Sequence, residues 1–170
     1  MIFVGSLISV ISLLKSIWPS MPDLNPINQF SFGLFSIFVA FLLPYQIMDK
    51  KGLSKKKVLA GFSSICLFMM LIRPEFTDAG AVFDFNRFGA AGMLVALFSG
   101  MVSAILMNLF AKISLFGKNS PIPDFVQQWF DNMIPISITL FIGYILIYVF
   151  NFDFFAMVIW IFSPITDIAQ

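Results

Sequence analysis

The sequence predicts an all-α membrane protein with about five transmembrane helices plus one interfacial amphipathic helix, in a single transmembrane domain over residues 1–170. Three observations carry that expectation. Hydrophobic residues fill 59% of the chain and mean hydropathy is +0.95. Charged residues make up 11%, against roughly 25% in an ordinary soluble domain. The apolar residues fall into long runs, several of them near the ~20 residues that a bilayer-crossing helix needs. So few charges cannot cover a water-facing surface, because exposed apolar area costs about 25 cal/mol per Å² in water.

The elements follow in chain order. The uncharged run Ile2–Leu14 falls short of a full span and has neither the basic start nor the small-residue cleavage pattern of a signal peptide. Lys15 and Trp18 suit an interfacial end, so the run reads as the outer part of a helix whose beginning is missing or never existed. Pro19, Pro22 and Pro26 break the chain before a second run at Gln29–Met48. The third run is Val58–Ile72, a few residues short. The fourth is Phe88–Ala111. The fifth is Pro135–Phe150, with Pro135 suited to a first helical turn. The stretch Phe154–Phe162, followed by Pro164, is too short to cross. It reads as a partial helix, a re-entrant piece or the start of an uncompleted span.

Lysine placement sets the orientation. Lys50, Lys51, Lys55, Lys56 and Lys57 crowd the segment between the second and third runs, and Lys112 and Lys118 lie between the fourth and fifth. Segment 73–87 balances Arg73 and Arg87 against Glu75, Asp78 and Asp84. The positive-inside rule then puts the lysine segments and the N-terminus in the cytoplasm and 73–87 outside. The five lysines read as topology determinants, or alternatively as a site for anionic lipid or a partner.

Two segments carry packing information. Gly92, Ala96, Gly100 and Ala104 repeat every four residues and put small side chains on one helical face, with Asn108 continuing the stripe. In lipid, close backbone approach replaces the hydrophobic force between helices. The stripe therefore marks a helix–helix contact, either within the chain or between two protomers. Segment Asp124–Ile134 places Phe125, Trp129, Phe130 and Met133 on one face and Asp124, Gln127, Gln128, Asp131 and Asn132 on the other. It predicts a helix lying flat at the cytoplasmic interface after Pro121 and Pro123. Its polar face has acids and no base, which favours docking on its own bundle or a partner over a general lipid anchor.

Reaction chemistry is not visible. The chain has no histidine, and its one cysteine, Cys66, reads as a small packing residue. No carboxylate pair, nucleophile–base set, phosphate-binding glycine loop or metal spacing appears, and the runs contain no acid of the kind that marks ion pathways. No catalytic residue, cofactor or metal is therefore expected, and the net charge of +1 implies no attraction to nucleic acid.

Several strings resemble the membrane permease (enzyme IIC) of the bacterial phosphotransferase system, lactose/cellobiose family. They are the opening Val4-Gly5-Ser6 with its Leu/Ile run, FGAAGMLVAL at 88–97, SPIPDFVQQWFDNMIPI at 120–136 and the neighbourhood of Pro164. The third is the most specific, with Gln127-Gln128 where that family commonly has Pro-Pro. The likeness covers nearly all of this chain and less than half of a family protein. It implies a component or fragment of a phosphoenolpyruvate-dependent sugar uptake system in the bacterial cytoplasmic membrane. In that family the first spans build a homodimer interface, and a second half binds the disaccharide or oligosaccharide within reach of a soluble phosphorylated IIB protein. The sugar-contacting histidine and glutamate would fall beyond Gln170, so no site residue carries over and the chain alone is expected to be inactive. A freestanding scaffold protein without transport activity is the other reading of the same residues.

Overall fold

The computed structural model describes residues 25–112 and 123–157, together with Val10 and Trp160. The rest of the N-terminal run, Lys118, Pro121 and the closing stretch around Pro164 lie outside the described residues. The chain is mostly helical. α1 is Asn25–Ser31, α2 Phe35–Lys50, α3 Lys57–Leu71, α4 Met93–Leu109 and α5 Asp124–Tyr144, which runs on as a π-helical turn over Ile145–Val149. Among the described residues, three helical stretches are by length and composition able to cross a membrane: Pro26–Lys50, Ala90–Leu109 and Trp129–Val149, of 25, 20 and 21 residues.

α2, α3 and α4 pack against one another in all three pairings, and α5 lies against α3 and α4. The sequence places them there by burying small residues at the crossings. Ala40, Ala60, Gly61, Ala96 and Gly100 are all buried. α3 is central: Ala60, Gly61, Ser63, Ser64, Leu67, Phe68 and Leu71 are buried along its 15 residues. At ~1.5 Å per residue it spans about 22 Å, less than the ~30 Å of a hydrocarbon core. The expected third crossing is therefore a short, protein-packed helix, and the described residues hold three helices long and apolar enough to cross, which does not confirm the expected count of about five.

Three further boundaries differ from the sequence expectation. The second run is divided by a turn at 32–34 into α1 and α2. The fourth begins later: 3₁₀ turns occupy Phe85–Phe88 and Ala90–Gly92, and the α-helix starts at Met93. The largest difference is at Pro135, which lies inside one continuous helix rather than starting a new one. A proline removes a single intrahelical donor and crowds the preceding turn. Here the helix continues through it, and the Thr139 hydroxyl donates to the Pro135 carbonyl at 2.7 Å. The interfacial helix and the fifth span are thus one element.

Segment 73–87 folds rather than looping freely. β1 (Glu75–Thr77) and β2 (Gly80–Val82) form an antiparallel hairpin with Thr77 opposite Gly80. Gly80 has φ of +122°, a conformation that side chains resist. All six strand residues are exposed.

The apolar core has two parts. One gathers Ala40, Leu67, Phe68, Leu71, Ile72, Phe88, Val95, Ala96, Ile147 and Phe154. The other gathers Met48, Ala60 and Met107, with Leu53, Leu59 and Ile136 packed against it. Between them, along α3 and α4, sit the buried Ser63, Ser64, Ser99 and Ser103.

Candidate functional site

Three places in the bundle gather polar or charged groups: the turn between α2 and α3, the serine belt between the two cores, and the opposite end around Arg73 and Arg87.

The turn holds the five lysines. Gly52 takes φ of +74°, and the Gly52 and Leu53 amides donate to the Asp49 and Met48 carbonyls at 3.0 and 2.9 Å. Asp49 closes the turn from outside, its carboxylate accepting from the Ser54 hydroxyl at 2.8 Å and from Lys57 Nζ at 2.9 Å. Lys57 also lies 4.6 Å from the centre of the Tyr45 ring. The Tyr45 side chain and the Asp49 carboxylate together hold the Lys57 ammonium above the ordinary lysine range. Lys50, Lys51 and Lys55 are exposed and Lys56 is half-buried. Of the five expected topology determinants, one is thus part of the turn's own structure. Asp49 and Tyr45 were not singled out by sequence for this role; their spacing from Lys57 becomes meaningful only once the turn folds.

The small-residue stripe lies wholly inside the chain. Gly92, Ala96, Gly100 and Ala104 are all buried. A side chain on Gly100 would meet Leu43 and Pro44 of α2, and one on Gly92 would meet the Arg87 carbonyl. Asn108 is half-buried. The outward face of α4 is instead Met101, Ile105 and Leu109, all more than half exposed.

The serine belt is local and largely satisfied. Ser64 and Ser99 hydroxyls are 3.3 Å apart, Ser99 donates to the Ala96 carbonyl at 2.8 Å, and Ser103 donates across to the Ala60 carbonyl at 2.9 Å. Further along, Ser36 donates to the Gly89 carbonyl at 2.5 Å. Ser63 Oγ is buried without a hydrogen-bond partner, as is Asn132 Oδ1 on α5. Hydroxyls at these positions tie helices whose backbones are already close, and each contributes modestly, about 0.6 kcal/mol on average in a lipid setting. Sequence reading passed over them because serines scattered through apolar runs carry no motif; the pair spacing Ser99–Ser103 on one α4 face was the available signal.

The expected amphipathic face reads differently in the folded chain. Trp129 and Met133 point outward, at 65% and 49% exposure, and Phe130 is at the edge of exposure, while Asn132 from the polar side is buried. Phe125 lies in α5, and its side chain is outside the described residues. Cys66, expected as a packing residue, is exposed on α3.

At the far end, Arg73 donates to Asn151 Oδ1 and lies 3.6 Å from Asp153. Arg87 donates to the Ile72 carbonyl at 2.8 Å and stacks 4.8 Å from the centre of the Phe155 ring. Asp153 caps the next helical turn, accepting from the Ala156 amide at 2.9 Å. Both arginines therefore hold the 151–155 segment against the end of α3 and the 3₁₀ turn at Phe85–Phe88. Among the described residues no cluster of three His, Cys, Asp or Glu stands ready for a metal ion.

No family model, no curated protein and no solved structure matches the chain. The class the fold defines is a mostly helical bundle with, among the described residues, three helices long and apolar enough for a membrane.

Proposed function

We propose that the chain is a membrane-embedded scaffold, the packing half of a sugar permease of the phosphotransferase type. On this reading it sits in the bacterial cytoplasmic membrane with the Lys50–Lys57 turn inside. The sugar-handling groups come from a further membrane half, and a soluble IIB protein supplies the phosphoryl group. One observation carries the scaffold part: the small residues and hydroxyls of α4 are engaged by α2 and α3, through Gly100 against Leu43 and Pro44, Ser99 against Ser64, and Ser103 against the Ala60 carbonyl. The permease part is supported by the resemblance of segments 88–97 and 120–136. A homodimer, as the resemblance implies, would have to use outward faces such as Met101, Ile105 and Leu109, since the stripe is occupied.

The test is chemical. The chain purified in detergent, mixed with phosphorylated IIB protein and labelled disaccharides, is expected to yield no sugar phosphate. Activity is expected only when a histidine-bearing permease half is supplied in trans. Turnover by the chain alone would overturn the division of labour.

The burial of the whole stripe favours a second reading, a freestanding scaffold that closes on itself. Crosslinked native membranes decide: a permease half recovered with the tagged chain supports the first reading, and recovery of the chain without one supports the second.

A further inference from the structure

We infer that the Lys50–Lys57 turn and the groove beneath it form a binding site for one anionic phospholipid, the headgroup phosphate on the lysines and an acyl chain along α2 and α3. This rests on the membrane-embedded reading above.

The charge balance is the first argument. Residues 49–57 hold five lysines and one acid, Asp49. That acid is already paired with Lys57 and bonded to Ser54. Lys50, Lys51, Lys55 and Lys56 take no part in the ion pairs of the described residues. The turn that displays them is not free to splay: Gly52, Leu53 and Lys56 amides are all bonded to carbonyls within it, and Leu53 anchors it against Met48, Ala60 and Met107. Four cations on a fixed turn repel one another until an anion arrives. A hollow of about 390 Å³ opens there, lined by Gly52, Leu53, Ser54, Lys55 and Lys56.

The surface below the turn selects the occupant. Lys57 sits over Tyr45, Tyr45 stacks 5.9 Å from Phe41, and Phe41 meets Phe62 edge-on at 5.5 Å. Phe41 also covers Gly61, where a side chain would strike its ring. The result is an aromatic ladder descending from the lysines, flanked by Val58 and Phe62 at 45% and 56% exposure. Inorganic phosphate or an acidic peptide would match the charges alone. A phospholipid matches both the cations and the apolar rungs, and the turn lies at the end of a stretch long enough to cross a bilayer.

The experiment uses the full chain in nanodiscs, where lipid composition is set and a disc has no inside or outside, so any topology-directing role of the lysines drops out. Discs of phosphatidylcholine doped with phosphatidylglycerol are compared with undoped discs, and retained lipid is read by native mass spectrometry. Wild-type chain is expected to enrich phosphatidylglycerol at least roughly tenfold over phosphatidylcholine. The combined variant Lys50→Gln, Lys51→Gln, Lys55→Gln, Lys56→Gln, which leaves Asp49 and Lys57 in place, is expected to lose that enrichment. Phe62→Ala is expected to weaken it with all charges kept. Equal enrichment in wild type and the four-lysine variant overturns the site. So does inorganic phosphate competing the lipid away, which would mark a phosphate site. A chain that does not enter discs sinks the membrane reading and this site with it, whereas entry without enrichment sinks the site alone.

Discussion

Arg73 and Asn151, 78 residues apart in sequence, are bonded side chain to side chain, and both have left-handed backbones with φ of 52° and 50°. Each follows the end of a helix, Arg73 after α3 and Asn151 after the π turn of α5. The Phe152 amide bonds back to the Leu146 carbonyl at 3.0 Å, the return that a left-handed residue permits after a helix. Two helix terminations are thus locked to each other. Left-handed backbone costs a residue with a β-carbon about 1–2 kcal/mol, less for asparagine, while glycine, which has no β-carbon, escapes it.

Replacements at Asn151 separate backbone from side chain. Asn151→Gly keeps the conformation and loses only the bond to Arg73; Asn151→Val loses both. Thermal unfolding in detergent is expected to show a small loss for the glycine variant and one larger by about 1–2 kcal/mol for the valine variant. Equal losses would mean that backbone geometry contributes nothing there.

The two stripe glycines are expected to respond unequally. At Gly100 an added β-carbon lies 2.9 Å from the end of the flexible Leu43 side chain, while at Gly92 it strikes the rigid Arg87 carbonyl. Gly100→Ala should stay at the low end of the ~1–3 kcal/mol typical of overpacking, and Gly92→Ala should exceed it. Gly100→Leu should approach the upper end. Stability ranked by thermal unfolding checks the order; Gly92→Ala as the milder change would refute it.

Within the serine belt, partnership decides the sign. Ser103→Ala removes a bond to the Ala60 carbonyl and is expected to cost about 0.5–1.5 kcal/mol. Ser63→Ala removes a buried hydroxyl that has no partner, so it is expected to be neutral or stabilising. Paired unfolding measurements on the two variants give the answer directly.

The Asp49–Lys57 pair carries a pH signature. Lys57 is raised above its ordinary value of 10.5 in the folded chain. A group raised on folding contributes stability below its unfolded value and loses it as pH climbs through the folded value. The stability gap between wild type and Asp49→Asn should therefore be constant across neutral pH, shrink above the ordinary lysine range as Lys57 deprotonates, and shrink again in acid, where Asp49, held below its ordinary value by Lys57 and Ser54, takes up a proton. A gap that closes near neutrality would point to another group.

Orientation is tested by single cysteines in a Cys66→Ser background. On the proposed arrangement, Asp78→Cys reacts with a membrane-impermeant maleimide on intact cells, and Lys55→Cys reacts only after lysis. Ready labelling of Lys55→Cys from outside would invert the arrangement.

The central helices were readable because their apolar runs are long and their ends are marked. α3 lies within one residue of the expected Val58–Ile72 at each end, bounded by lysines before it and Arg73-Pro74 after it. Pro135 misled because proline is equally at home in a first turn and inside a helix that absorbs it, and nothing local separates the two. The hairpin was invisible since its exposed strands carry no alternation; Asp78-Ala79-Gly80 was the only cue. For the candidate site, the lysines and glycines were legible as types. Which lysine would be tied down was not: Lys57 is distinguished only by Asp49 and Tyr45 reaching it across the turn.

The small β-hairpin offers a practical grip. Among the described residues its two strands pair with each other alone, and all six strand residues are exposed. Peptide spliced between Asp78 and Ala79 would leave the helices undisturbed. An epitope or a rigid antibody-binding loop carried there would give a protein of this size the bulk that particle imaging demands.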